Sequence, residues 1–197
     1  AEEGDLARHL ARTTWDVPEG TAIPALHLPY ERLLAHVESA TWTAVTTADS
    51  PDTPAVQEYV AAARQSGRTV ITLGLRATGD QAAERNRVGR APDHNTAEWS
   101  LWIGRPLLGQ WVQDVRAALN AFESTAGDES GDGEITLVGI GPAGIVALCA
   151  GAVDERIAHV VAAGSLASYL SDVPYENQRL GLMAPGIVRD VGDIPHI

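Results

Sequence analysis

The sequence holds a single cysteine, Cys149, so no disulfide can form within the chain, and cysteine usage leaves the redox compartment open. Cys149 sits inside the apolar run Ile145-Val-Ala-Leu-Cys-Ala-Gly-Ala152 and reads as a small buried hydrophobe. No H-x-x-x-H or C-x-x-C spacing occurs. Asp93-His94 and His159 stand as isolated surface groups, so no metal site is expected. No apolar run approaches the roughly 20 residues that a transmembrane helix needs. The opening Ala1-Glu-Glu-Gly-Asp5 lacks the basic-then-apolar pattern of a signal peptide, and none is expected. Basic residues are also few, 14 against 26 acidic, for a formal net charge of −12. That balance disfavours a nucleic-acid backbone or an anionic membrane as partner, and it reads first as a contribution to solubility.

What is present is an ordinary globular composition. The 197 residues are 45% hydrophobic and 20% charged, enough for one sizeable domain. We read one domain over 1–197, with an N-terminal extension at 1–16 and a core at 17–197. No repeat or low-complexity tract stands out. Gly127-Asp-Glu-Ser-Gly-Asp-Gly133 is a polar loop.

Along the chain, 1–12 has Leu6 and Leu10 at helical spacing. Ala22–Leu28 reads as extended, with His27 a polar residue on a strand face. Trp42–Thr47 is rich in β-branched residues and reads as a strand. A loop dense in turn residues follows, then a helix from Ala55 to Ser66 that begins after Pro54 and stops at Gly67. Arg68–Leu75 is the next strand, with no clean alternation, so both its faces are expected to be buried. A long polar loop then runs through Asn95. A long helix lies between Glu98 and Glu123, starting near Gly104-Arg-Pro106. Its Leu107, Leu108, Trp111, Val112, Val115, Ala118, Leu119 and Phe122 recur every three or four residues and form a core face. The strand Ile135–Val138, the helix Ile145–Ala152 and the strand Arg156–Ala163 complete the regular part. Gly164 to Ile197 is expected to be loop and short helix.

Strands and helices therefore alternate, which predicts an α/β fold: a mainly parallel sheet with helices on both faces. In such sheets ligands sit at the carboxyl ends of the strands. Those ends are Ala48–Ser50, Gly74–Gly79, Gly139–Gly144 and Gly164–Ser168.

The stretch Ile135-Thr-Leu-Val-Gly-Ile-Gly-Pro-Ala-Gly144 is a strand that ends in a glycine-rich turn before a helix. Taken literally, Gly139-x-Gly141-x-x-Gly144 fits the dinucleotide fingerprint, whose glycines let a pyrophosphate approach a helix N-terminus. That motif wants an acidic residue about 20 positions further on, where this chain has Ala162-Ala-Gly-Ser165, and Pro142 removes an amide from the cradle. The same stretch also has the outline of a nucleophile elbow.

From about Val17 onward the chain resembles the α/β-hydrolase superfamily, in its acetylxylan-esterase-like, dienelactone-hydrolase-like and prolyl-oligopeptidase-like branch. Four segments carry the resemblance. Pro18–Pro29 is similar to the early strand before the oxyanion loop, and Gly67–Asp80 to the strand that ends in a D-x-R-G-x-G-E signature. Gly104–Leu119 is similar to the helix before the nucleophile strand. Gly139–Leu148, with Asp154–Ile157, is similar to the elbow, its helix and the next strand. The resemblance implies a three-layer sandwich, apparently incomplete at the C-terminus, and no cofactor.

The departures from that pattern are chemical. The nucleophile position falls on Gly141, which has no hydroxyl or thiol. The residue after it, whose N–H would be an oxyanion donor, is Pro142, which has none. The oxyanion-loop His-Gly reads Ala48-Asp49, and the signature aspartate reads Gly74. The family's acid and histidine follow later strands, so His196 falls too early to be the triad histidine.

Three readings follow. The first is a degenerate hydrolase-like domain without triad chemistry, acting as a small-molecule binder, a structural subunit or a cap on a partner chain. The second is a working carboxylic-ester hydrolase with another nucleophile or with residues from a further segment or a partner chain. Ser50, Ser165 and Ser168 lie near strand ends for that purpose, and Asp49 is an available acid. The third is a dinucleotide-binding domain. The candidate ligand-binding residues are Gly139, Gly141, Gly144 and Arg76, the last a cation at a strand end. The expected partners are another protein chain covering an open sheet edge and a small-molecule or carbohydrate ester.

Overall fold

The computed structural model describes residues 42–47, 53–126, 134–172, 175 and 178–197, with the backbone alone at 42–47, 69, 80 and 123–126. The expected segments at 1–12 and 22–28 lie outside the described residues, as does the loop at 127–133. So do Asp49 and Ser50.

Among the described residues the strands are β1 (Trp42–Thr47), β2 (Thr69–Gly74), β3 (Ile135–Ile140) and β4 (Ile157–Ala163). The α-helices described are α1 (Pro54–Gln65), α2 (His94–Trp102), α3 (Leu107–Ala126), α4 (Ala143–Val153) and the single turn α5 (Ile187–Asp190). Short 3-10 turns occur at Gly79–Gln81, Leu180–Leu182 and Ile194–His196. The chain is thus α/β, as the alternation predicts.

The sheet order is β2-β1-β3-β4, and every pairing is parallel. The chain steps from β1 to one side to form β2, then returns past β1 to form β3 and β4. Right-handed crossovers in opposite directions put the connecting helices on opposite faces. The side chains follow that rule. Val138 and Ile140 share a cluster with Val56 and Val60 of α1, and Val70 joins them. Ile71, Leu73, Ile135 and Leu137 belong instead to the larger cluster with α3 and α4. Within β3 the odd residues 135 and 137 thus pack on one face and the even residues 138 and 140 on the other, as a two-residue period requires.

α4 is apolar nearly all round, as expected of a helix enclosed by the core. Ala143 to Ala147, Cys149 and Ala150 are all buried. It packs against β3, β4 and α3. Cys149 is fully enclosed, and burial pushes its thiol up to about 12. α3 turns Leu107, Leu108, Trp111, Val112, Val115, Ala118, Leu119 and Phe122 into the same core, the face read from the sequence.

The sequence reading differs from the structure between residues 76 and 106. The predicted loop through Asn95 gives way to α2 at His94, and α3 begins at Leu107. The two helices are separated by a tight connection in which Gly104 takes φ +72 and Arg105 N–H donates to Ser100 O at 2.8 Å. α2 escapes a periodicity reading because its buried residues are small, Ala97 and Ser100, while its tryptophans lie outside.

Candidate functional site

The carboxyl ends of β1 and β3 flank the point where the chain changes direction across the sheet, the place where α/β sheets bind ligands. Of the four strand-end loops, Ala48–Ser50 lies outside the described residues. The other three are built as follows.

The loop after β3 turns through Gly141, at φ +60 with nothing within 4 Å of where a Cβ would stand. Its N–H donates to Ala163 O, at the end of β4, at 2.7 Å. Pro142 then opens α4, its φ of −54° and ψ of −32° already helical. Gly144 N–H donates to Gly141 O at 3.0 Å and Ile145 N–H to Pro142 O at 3.3 Å. Three amides of this turn are therefore spent on the protein's own carbonyls, and Pro142 has none to offer. Such a helix start has little left with which to cradle a phosphate or an oxyanion.

The flanking glycines are needed for closeness. A Cβ on Gly139 would lie 2.3 Å from Ala143 O and 2.6 Å from Gly144 Cα. A Cβ on Gly144 would lie 2.5 Å from Ser165 Cβ and 2.6 Å from its Oγ. The strand folds back tightly against its own helix at Gly139, and the helix presses onto the loop after β4 at Gly144. Both contacts are packing, and neither leaves room for a ligand.

The loop after β2 is clamped to α3. The Arg76 guanidinium pairs with Asp114 through Nε, at 2.7 Å to Oδ2, and through Nη2. Its Nη1 donates to Gln110 Oε1 at 3.1 Å. Trp111 Nε1 donates to Arg76 O at 2.9 Å, so backbone and side chain are both held. Burial pushes the Asp114 carboxyl up, while Arg76 pulls it back. The hydrogen bond to Asp114 raises Arg76 further. Gln110 Nε2 continues the network to Ser100 Oγ at 3.3 Å and Arg105 O at 2.9 Å. The cation predicted for a ligand is thus engaged by its own helix.

The loop after β4 holds Ser165 and Ser168. The Ser165 hydroxyl is enclosed against Gly144 and has no hydrogen-bond partner among the described residues. Ser168 donates to Asp193 Oδ2 and accepts from Leu170 N–H at 2.9 Å. Asp193 also accepts from Tyr169 N–H at 2.7 Å and Ile194 N–H at 2.8 Å. The bond from Ser168, then that from Tyr169, hold its carboxyl below the usual range. His196 Nδ1 accepts from Asp193 N–H at 3.1 Å, which makes it part of a cap rather than a base aimed at Ser168.

Asp93 is not the surface group expected. It is fully buried and takes Leu180 N–H at 2.9 Å and Gly181 N–H at 2.8 Å, tying the chain before α2 to the turn Leu180–Leu182. Both carboxylate oxygens are used in this way. His94 stands 3.8 Å from Glu98, and His159 3.4 Å from Glu134. Among the described residues no group of three or more His, Cys, Asp or Glu is placed to hold a metal ion. No described helix is long and apolar enough to cross a membrane.

A second charged cluster lies at the opposite end of the sheet, where β4 begins. Arg156 Nη2 binds Asp154 Oδ2 at 2.6 Å, and Arg116 Nε reaches the same oxygen at 3.3 Å. Burial alone would raise Asp154, but the bonds and charge of Arg156 outweigh it and hold the carboxyl below the ordinary range. Its place at the amino ends of the strands marks it as structural.

Sequence reasoning missed Asp114, Gln110, Asp193 and the Ala163 carbonyl as the groups that occupy the strand ends. The partners of Arg76 lie 34 and 38 residues away, and no local spacing signals them. Comparison of the chain with protein-family models, with curated proteins and with solved structures finds no match in any of the three.

Proposed function

We propose that the chain is a non-catalytic α/β-hydrolase-like domain, a three-layer sandwich that keeps the elbow's geometry without its chemistry and serves as a structural or partner-capping subunit. One observation carries this reading: the elbow position is a glycine at φ +60, its own N–H is bound to Ala163 O, and a proline follows it. The positive φ belongs to an elbow. The missing hydroxyl removes covalent catalysis. The missing Pro142 amide removes an oxyanion donor, a loss of about 3 kcal/mol of transition-state stabilisation in its own right.

The reading is supported by what the neighbouring groups do. Ser165 is enclosed, Ser168 is bound to a carboxylate that is itself used as a cap, and Arg76 is clamped by Asp114 and Gln110. The internal hydrogen bonds at the start of α4 also weigh against the dinucleotide reading, which needs those amides for a pyrophosphate.

Aryl-acetate hydrolysis tests the proposal. The chain is expected to turn over p-nitrophenyl acetate no faster than buffer, and Gly141→Ser to remain within about tenfold of that background, because the oxyanion donor is still missing. Saturable turnover by the unaltered chain would remove the non-catalytic reading.

A further inference from the structure

α2 is built inside out. Its core side carries only Ala97 and Ser100, while Trp99, Trp102 and Ile103 stand 58%, 74% and 67% exposed. Positions 95, 96, 99, 102 and 103 follow helical spacings of three and four and so form one stripe. The upper end of that stripe is occupied by the loop before the helix. Thr96 N–H and hydroxyl both donate to Asn86 Oδ1, at 2.8 and 3.0 Å. Asn95 Nδ2 donates to Arg85 O at 2.8 Å, and Asn95 N–H donates to Asn86 O at 3.1 Å. The loop so fastened carries Arg85, Arg87 and Arg90, all exposed, together with Val88 at 50%. Glu84 and Glu98 are the acidic groups nearest in sequence, and Asp93 is spent on backbone amides.

Three arginines within six residues therefore sit on a loop fastened to Asn95 and Thr96, one helical turn before the first of two exposed tryptophans, in a chain whose formal net charge is −12. The tryptophan and isoleucine surface amounts to roughly 400 Å², from about 250 Å² for a whole tryptophan and somewhat less for isoleucine. That is at the size where an exposed apolar patch marks an interaction site, yet about half of what one partner contributes to a standard protein interface. Tryptophan and arginine are also the residues that dominate binding hot spots.

We propose that the Trp99–Trp102–Ile103 stripe and the Arg85–Arg90 loop form a docking surface for an acidic amphipathic segment of a partner protein. The apolar side chains of that segment would lie on the tryptophans and its carboxylates against the arginines. The inference stands apart from the reading of the elbow. The charge complementarity selects this occupant. A long polyanion or an anionic bilayer meets repulsion from the rest of an acidic surface, which a short acidic segment largely avoids. A second copy docked face to face would set the arginine loops against one another, and two such patches sum to roughly 800 Å², short of a stable dimer.

The test uses the full chain and a 16-residue helical peptide with leucines at i, i+3 and i+4 spacing and glutamates elsewhere. A lysine-for-glutamate peptide is the control, and Trp99 and Trp102 indole resonances and peptide anisotropy are followed. The glutamate peptide is expected to saturate and to shift both indoles but not that of the buried Trp111. Trp102→Ser, or Arg87→Glu with Arg90→Glu, should weaken it at least tenfold with the melting curve unchanged, and salt should weaken it too. Equal binding of the lysine peptide, or absence of saturation, overturns the proposal. So does displacement of the glutamate peptide by phosphatidylglycerol vesicles, or concentration-dependent self-association abolished by Trp102→Ser.

Discussion

The N–H of Gly141 donates to Ala163 O at 2.7 Å, joining the turn after β3 to the last residue of β4. This bond ties the turn to the neighbouring strand, with residue 141 in a conformation that L side chains rarely adopt. The position has room for a side chain and is strained for one.

Gly141→Ala is therefore expected to cost about 1–2 kcal/mol, the penalty of a left-handed backbone for an L residue, with no steric part. Urea denaturation measures it. A cost above about 4 kcal/mol would mean that the space beside residue 141 is filled.

Gly144→Ala is expected to cost about 1–3 kcal/mol by overpacking, because the new Cβ meets the Ser165 side chain. The conflict lies with a side chain, so Ser165→Gly should relieve it. In a double-mutant cycle the pair should fall short of the summed single effects by more than about 1 kcal/mol. Gly139→Ala meets Ala143 O instead, a backbone atom that no truncation removes. It should be the more damaging of the two and should not be rescued by Ser165→Gly.

Arg76→Ala leaves Asp114 buried without its cation. The loss at neutral pH is expected near 3 kcal/mol, the lower end for breaking a buried pair, since Arg76 is about one-third exposed. Burial already raises the Asp114 carboxyl, and removing Arg76 raises it further. A carboxyl whose folded pKa lies above its unfolded value favours the folded state below the unfolded value, near 4, and loses that advantage as pH rises through the folded pKa. The penalty of Arg76→Ala should therefore shrink as pH falls toward 4. A pH-independent penalty would assign the loss to packing alone.

Asp93→Ala is expected to leave Leu180 N–H and Gly181 N–H without their acceptor, at a cost of about 1–3 kcal/mol for the buried Gly181 amide and less for the half-buried Leu180 amide. Hydrogen exchange should quicken at Leu180 and Gly181 first, with Asp93→Asn intermediate because it keeps one acceptor oxygen. Unchanged exchange at both would show that the turn is held by packing on Trp111 and Leu107 instead.

The regular core was legible because local and global signals agree there. Thr69–Gly74 and Ile135–Ile140 are β-branched and apolar, and the helix ending at Gln65 is followed by Gly67 at φ +75, where the sequence reading stops it. α2 was missed because its large residues face outward, which inverts the pattern that a periodicity reading uses. The loops after β2, β3 and β4 lie at the strand ends where the sequence puts them, while Ala48–Ser50 lies outside the described residues, and the partners of their polar groups are not legible in the sequence. Arg76 reads as a free cation until Asp114, 38 residues later, is folded beside it. Asp93 reads as a surface acid until Leu180 and Gly181 arrive 87 and 88 residues on. Long-range polar pairing leaves no period in a sequence.

The most direct measurement on the central claim is intact mass after incubation with a fluorophosphonate, which phosphonylates an activated serine. With no nucleophile at Gly141, Ser165 enclosed and Ser168 bound to Asp193, the chain is expected to keep its mass. Stoichiometric addition of one phosphonyl group, mapped to any serine and prevented by prior denaturation, would contradict the account.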